Sequence, residues 1–417
     1  MLFTLSIRNA FRHRGRLLLT TSIVMVASLL LVIAVGQIGG INRTLTNSVT
    51  DTLTGHINIK PQNAPVAFFE FASPKRLELI RAEDVEDIIA RVSALPMVEA
   101  ATPRIKFGSL IGNDEKSIPA MIIGVDPGRE GKVCTDLVNI VKPLQDSRNA
   151  VLATYLANRV GIQQGENILV FSETADDSFN AAEFKIDSTI DTPVLIDEFI
   201  NSVFLVDIQT VRDLLYLDQS ASEISIRLKP GYTIDLAVAR DAINRALTPT
   251  QQAYLKTYTY QEVEQSIEGI SSIAAGMGTI QVGTIMLIML VTVLIITSIT
   301  LHERRFEIGA LMSIGMSPAK LTAMFVMEVG IKVVLGYVLG AILGFLILQG
   351  INFSGGIKAA NQIDQYIYGG KVMFPIIDYA SIALGMVLVV SIALLITLGT
   401  CIKASRQDIV GLLNSKK

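Results

Sequence analysis

The sequence predicts a membrane α-helical protein with four transmembrane helices and a large mixed α/β extracytoplasmic domain. Three observations lead there. Half of the 417 residues are hydrophobic and the mean hydropathy is +0.49, a composition of membrane rather than soluble chains. Four apolar runs, residues 17–38, 273–301, 321–348 and 379–402, each supply the roughly 20 residues that cross about 30 Å of hydrocarbon. Charge is partitioned: residues 42–268 carry 21 Lys and Arg against 32 Asp and Glu, and the remainder carries 14 against 6. By the positive-inside rule the basic segments, and with them both termini, are cytoplasmic and the long acidic region lies outside.

Taken in order, residues 1–16 read as an amphipathic helix for the membrane surface, an elbow with Phe3, Ile7, Ala10 and Phe11 on one face and Arg8 and Arg12 on another. Residues 17–41 are the first transmembrane helix. A cleaved signal peptide competes there, with Ala34-Val35-Gly36 as a weak cleavage-like triplet. The run is too long for one and three more spans follow, so it reads as an uncleaved anchor.

Residues 42–268 form the extracytoplasmic α/β domain. Residues 55–60 alternate like a strand. Val85, Ile88, Ile89, Val92 and Leu95 give an amphipathic helix stopped by Pro96, and residues 98–107 return as a strand. Ile224, Ile226 and Leu228 alternate in a later strand, ended by Lys229-Pro230-Gly231. A helix over about 234–247 and a strand over 254–260 follow. Two β-α-β units thus flank a middle section, about 110–215. Within it Gly165 supplies a turn before the strand 167–171. The acidic stretch 172–198 reads as an exposed hairpin or flap, or a solvated loop.

The second transmembrane helix is 269–301, which holds no Asp, Glu, Lys, Arg or His. Residues 302–317 mix charge with an apolar stripe. Ile308, Leu311, Met312 and Gly315 share one helical face, a tight Gly-Met turn follows, and Ser317-Pro318 reads as an N-cap with Pro at the first helical position. The third transmembrane helix, 318–350, carries Gly336, Gly340 and Gly344, a double G-x-x-x-G ridge that should face another helix. Glu328 and Lys332 stand at i, i+4 and read as an intramembrane ion pair, since a lone charge there is costly. An extracytoplasmic loop, 351–378, the fourth transmembrane helix, 379–402, and a cytoplasmic tail, 403–417, complete the chain.

No catalytic or metal-binding constellation is visible. His13, His56 and His302 stand in structural contexts, and Cys134 and Cys401 lie on opposite sides of the membrane and cannot pair. An exposed Cys134 would react with an impermeant thiol reagent. There is no G-x-x-x-x-G-K-[ST] loop, so no ATPase is expected in the chain.

Glu303-Arg304-Arg305-x-Glu307-Ile308-Gly309-x-Leu311-x-x-Ile314-Gly315 resembles the signature of the MacB/FtsX/LolC/LolE family of ABC transporter permeases. Residues 7–14 resemble the family's basic elbow. Residues 120–127 and 156–166 resemble its ectodomain stretches, with Glu166 where Asp is common, and 403–413 its tail, with Ile409 where Pro is usual. The resemblance implies a porter-like base, about 42–109 and 216–268, interrupted by an inserted β-rich subdomain, about 110–215. It implies that 302–317 is the coupling helix, with Glu303, Arg304, Arg305, Glu307, Ile308, Gly309, Leu311 and Gly315 engaging a cytoplasmic ABC ATPase dimer. ATP and Mg would be bound by that partner, not by this chain. It further implies a second permease copy or paralogue, a bacterial inner-membrane location with the large domain periplasmic, and work on the outer side of the membrane. The ectodomain stretches and the separate ATPase favour release of lipoproteins to a periplasmic carrier. Efflux of amphiphilic drugs or peptides, and mechanotransmission to an extracellular partner, are the alternatives. Ile38, Ile280 and Val282, at the outer ends of the first two spans, would face the lipid-anchored substrate. Membrane lipids are expected partners and nucleic acid is not.

Overall fold

The computed structural model of the chain describes residues 14–70, 72–113, 116–174, 178–190, 202–263 and 265–405. The elbow up to residue 13, the tail from 406, and residues 175–177 and 191–198 of the acidic stretch lie outside the described residues. Two compact units emerge. One joins Met1–Asn42, Ser272–Lys358 and Val372–Lys417; the other joins Arg43–Ser271 and Ala359–Lys371.

Helix α1, Arg14–Val49, carries the first span. Its 36 residues make a rod of about 54 Å at 1.5 Å per residue, well beyond the hydrocarbon. The surplus is polar, with Asn42, Arg43, Thr44, Thr46, Asn47 and Ser48. A π-helical turn, Thr50–Thr54, ends the rod at Gly55, whose N–H closes on Thr50 O at 3.1 Å. Gly55 sits at φ +68, and a Cβ there would press on Ile226 O, so the stop needs glycine.

The α/β unit then runs β1 (Ile57–Pro61), α2 (Ala82–Ser93), β2 (Val98–Gly112), β3 (Ser117–Val125), β4 (Asn149–Ala153), α3 (Thr154–Val160), β5 (Asn167–Glu173), β6 (Phe179–Ile190), β7 (Val203–Asp207), α4 (Ile208–Leu215), β8 (Glu223–Leu228), α5 (Leu236–Ala246) and β9 (Leu255–Thr259). The two expected β-α-β units are β1-α2-β2 and β8-α5-β9. Their strands lie side by side in the order β2-β8-β1-β9, all antiparallel. Val85, Ile88, Ile89 and Val92 of α2 and Ala239 and Ile243 of α5 pack on Ile57, Ile59, Ile224 and Ile226. Asp235 caps α5 by accepting from Val238 N.

The middle section is not a separate sheet. β2 is 15 residues long; its first half pairs with β8 and its second half with β3 and β5. From there the pairing runs β3-β7-β4-β6-β5 and returns to β2, a closed ring of six strands in which β3–β7 and β4–β6 are parallel. The ring is filled by Phe107, Ile122, Leu152, Val170, Phe184 and Phe204, with α3 and α4 packed against the same cluster. Asp207 caps α4, accepting from Gln209 N and Thr210 N.

The remaining spans are α6 (Gln265–Glu303), α8 (Pro318–Phe353) and α10 (Tyr379–Ser405), with α7 (Arg305–Ser313) between the first two. The loop expected over 351–378 instead holds a two-stranded ladder, β10 (Ile357–Lys358) with β11 (Val372–Met373), and a short helix, α9 (Gln362–Tyr368). In the membrane unit Val24 of α1, Met289 and Val293 of α6, Val333 and Tyr337 of α8 and Val389 and Ala393 of α10 form one core.

Candidate functional site

The segment between α6 and α8 is built by three local devices. At Arg304 the helix is interrupted (φ −97°, ψ 14°), although its N–H still reaches Thr300 O at 3.1 Å. α7 follows for nine residues. It ends in a Schellman motif: Met316 N donates to Leu311 O at 3.1 Å and Gly315 N to Met312 O at 3.0 Å, with Gly315 at φ +95. Ser317 then turns the chain into Pro318 in extended conformation, but its hydroxyl makes no capping bond, so proline alone marks the start of α8.

Part of the apolar stripe of α7 faces inward. Leu311, Met312 and Met316 pack on Leu321, Met324 and Phe325 of α8 and Cys401 of α10, and Gly309 is buried. Glu303, Glu307 and Gly315 are exposed, and Ile314 is 84% exposed. Arg305 and Ile308 lie on α7 by their backbone only; their side chains are not among those described.

Arg304 departs from the expectation of a charge on the docking face. It is 2% exposed and its Nη1 donates to Glu328 Oε2 at 2.9 Å. Lys332 Nζ donates to Glu328 Oε1 at 2.7 Å. The expected ion pair is therefore a triad that joins α7's start to α8. Phe325 lies under the guanidinium at 5.9 Å. Among the described residues Arg304 Nε and Nη2 have no hydrogen-bond partner; Glu307 Oε2 stands 3.9 Å from Nε. Each ion buried in such a place costs several kcal/mol, and an apolar replacement of similar volume is often neutral or stabilising. Packing stability alone does not account for three charges here.

Gly336, Gly340 and Gly344 lie against α1. A Cβ on Gly336 would meet Thr21 O and Val24, one on Gly340 would overlap Ser28 Oγ and Met25 O, and one on Gly344 would meet Val32. Ser28 Oγ also reaches Gly336 O at 3.4 Å. Of the residues expected to face substrate, Ile280 is 72% exposed, while Ile38 and Val282 are half-buried and Ile38 packs on Gly278 of α6.

A second charged group lies inside the α/β unit, and sequence reading missed it. Glu223 of β8 is ringed by Lys106 at 3.0 Å, Lys60 at 3.4 Å and Arg104 at 3.5 Å, all buried. Arg104 also pairs with Glu130 and donates to Leu53 O, at the end of the π-helical turn. Lys60 Nζ donates to Val66 O at 2.8 Å and Lys106 Nζ to Phe68 O at 3.1 Å, so the two lysines hold the 62–70 loop. Burial brings the Lys106 ammonium down to about 7 against the pull of Glu223. Burial would raise the Glu223 carboxyl, but Lys106, Lys60 and Arg104 outweigh it and hold it at about 2. The signal was present: Arg104 sits in Pro103-Arg104-Ile105, and Asp126 of Gly124-Val125-Asp126-Pro127 accepts from Gly128 N and Glu130 N in the turn that delivers Glu130.

Cys134 stands in this cluster, beside Arg104 at 3.0 Å, and burial pushes its thiol up to about 12. It is not the surface thiol that labelling would need. His56 accepts from Leu228 N at 3.3 Å through Nδ1. Burial, then the charge of Arg227, holds its pKa at about 4. Among the described residues no group of three or more His, Cys, Asp or Glu could hold a metal.

Two family models match: a MacB-like periplasmic core domain over residues 17–245 and an FtsX-like permease C-terminal region over 280–409. No curated protein matches. Solved structures with likeness include the periplasmic region of MacB from Actinobacillus actinomycetemcomitans (12% identity, 52% of this chain and 94% of that one, TM-score 0.34). Others are the extracellular domain of the ABC-type transporter YknZ from Gram-positive bacteria (9%, 48% and 98%, TM-score 0.30) and a domain of a putative permease from Porphyromonas gingivalis (15%, 50% and 89%, TM-score 0.27). The first family model alone spans more than half of the chain.

Proposed function

Because this chain belongs to the MacB/FtsX family of ABC transporter permeases, we propose that it is the membrane subunit of a machine that releases lipoproteins from the outer leaflet of the inner membrane. A cytoplasmic ATPase dimer binds ATP and Mg and docks on α7. A second permease copy or paralogue completes the complex, and a periplasmic carrier receives the cargo.

The observation that carries the docking part is the build of α7. It is fixed from within by its Schellman turn and by Leu311 and Met312, and Glu307 on it, Glu303 at the end of α6 and Ile314 at its C-cap face outward. In this packed arrangement a partner that pushes on this face pushes on α8 and α10 as well. Gly309 and Arg304, buried here, support that rigidity rather than contact.

Lipid-anchored cargo would enter sideways between spans, where its acyl chains already lie. Ile280, exposed on an uncharged stretch of α6, supports such a route, as apolar helix faces do generally. Photo-crosslinkers at Ile280 and Ile38 in the complex without nucleotide test it. The expected result is a lipoprotein adduct whose yield falls with ATP, and depletion that leaves mature lipoproteins in the inner membrane. Normal lipoprotein localisation together with sensitivity to amphiphilic drugs would replace this reading by efflux.

A further inference from the structure

The triad at the start of α7 has a feature that neither docking nor packing explains. One carboxylate, Glu328, serves two buried cations from two different directions. Lys332 comes from one turn along the same helix, 2.7 Å from Oε1; Arg304 comes from the interruption between α6 and α7, 2.9 Å from Oε2. A structural ion pair needs only one of them. Among the described buried groups the second leaves one positive charge in excess, with half-exposed Glu307 3.9 Å from Arg304.

The two links also differ in what breaking them would leave behind. Lys332 moves with Glu328, because both ride on α8. Arg304 moves with the interruption that bounds α7. If Arg304 withdraws, Glu328 is still neutralised by Lys332. If Lys332 were absent, the same withdrawal would strand a buried carboxylate, which is strongly unfavourable. Arg304 for its part is under-satisfied among the described residues, where Nε and Nη2 find no hydrogen-bond partner. Glu307, on α7 itself and half-exposed, is an acceptor within reach of a small rotation.

We propose that Arg304 and Glu328 form a releasable latch between α7 and α8, in which Lys332 is the standing counterion that permits release. The latch rests on the reading of α7 as the ATPase-facing helix and adds to it: Arg304 is a positioning residue that decides whether α7 and α8 move together. In the latched state a push on α7 is delivered to the third span. In the released state α7 follows the ATPase while α8 stays.

The test uses the full permease purified with its ATPase, and reads three quantities separately: co-purification of the ATPase, ATP turnover, and the distance between spin labels at Ser313→Cys on α7 and Ala323→Cys on α8, both exposed positions. Wild type is expected to show two distances whose populations change on trapping with ATP and vanadate. Lys332→Met should co-purify normally, show the short distance alone in every nucleotide state, and turn over at least tenfold more slowly. Glu328→Gln should show the long distance without nucleotide. In the double variant the Lys332→Met defect should vanish, because no carboxylate remains to be stranded; a purely structural role would instead add the two defects. If Lys332→Met fails to assemble, the Glu328→Gln distance alone decides. A single distance in wild type under all conditions, or a Lys332→Met defect undiminished by Glu328→Gln, overturns the latch. Loss of ATPase co-purification from wild type upon Ile314→Asp bears on the docking reading instead, so the two can fail independently.

Discussion

His56 and Glu223 set how the α/β unit responds to acid. His56 titrates at about 4 when folded, against about 6.5 when unfolded. Between those values the unfolded chain binds the proton and the folded chain does not, so stability falls as pH drops from 6.5 to 4, by roughly 3 kcal/mol at most for a shift of this size. Glu223, held at about 2, contributes stability above pH 4.5 that is lost as pH falls further. Denaturant unfolding at pH 7 and pH 5 should therefore show a loss at pH 5. His56→Asn, which keeps an acceptor for Leu228 N, should shrink that loss by more than half. Glu130→Gln tests the neighbouring pair. It leaves the buried Arg104 with only Glu223, shared with Lys60 and Lys106, as countercharge and should cost about 3–5 kcal/mol, read as a drop in the denaturation midpoint. An unchanged midpoint would mean that Leu53 O and Glu223 suffice to hold Arg104.

Among elements, the contact of α8 with α1 is the most demanding. In lipid no hydrophobic force drives two helices together, and association depends on close van der Waals approach. Gly340 faces Ser28 and the Met25 carbonyl with no room for a side chain. Gly340→Leu should separate the helices and abolish detergent-stable folding, seen as loss of a monodisperse peak, while insertion of the individual spans persists. Gly350, which has open space around it, is the control: Gly350→Ala should be neutral. The outward face of α7 makes a different prediction. Ile314→Asp should lower ATPase co-purification at least tenfold with the membrane unit intact, whereas Gly309→Ala should act through folding, since Gly309 is buried.

For the molecule as a whole, sidedness is the first matter to measure. Cys134 cannot report it, being buried with a thiol pushed up to about 12. With both native cysteines buried, Ser147→Cys and Ser313→Cys are suitable single reporters. Impermeant maleimide on intact spheroplasts should label the first and spare the second; the reverse would invert the charge-based topology. The four spans and both β-α-β units were legible because each element shows one periodicity to one solvent: α2 keeps Val85, Ile88, Ile89 and Val92 on a single face. The ring was not legible, because strands such as β3 are buried on both faces and lose alternation; Met121, Ile122 and Ile123 are all interior. In the candidate site the turn after α7 and the existence of an apolar face were readable from local spacing; that Leu311 and Met312 pack on α8 was not. The burial of Arg304 was not, because Glu328 stands 24 residues further on and only the folded spans bring them together. The cluster around Glu223 was hidden in the same way, its cations coming from β1 and β2.

The long middle strand has a consequence for how the chain is made. β2 to β7, residues 98–207, contain every strand of the closed ring, so the ring can complete itself as soon as that stretch has crossed the membrane. β1 cannot: Ile57 is aligned with Ile226 and with Thr259, and both arrive only at the end of the translocated region. Such distant pairings carry the largest loop-closure cost and form slowly. The strand nearest the first span is thus synthesised early and housed late, just as the second span enters the bilayer. During that interval the segment from β1 to α2 is naked to extracytoplasmic proteases and chaperones, and the moment of its protection should coincide with arrival of the second span.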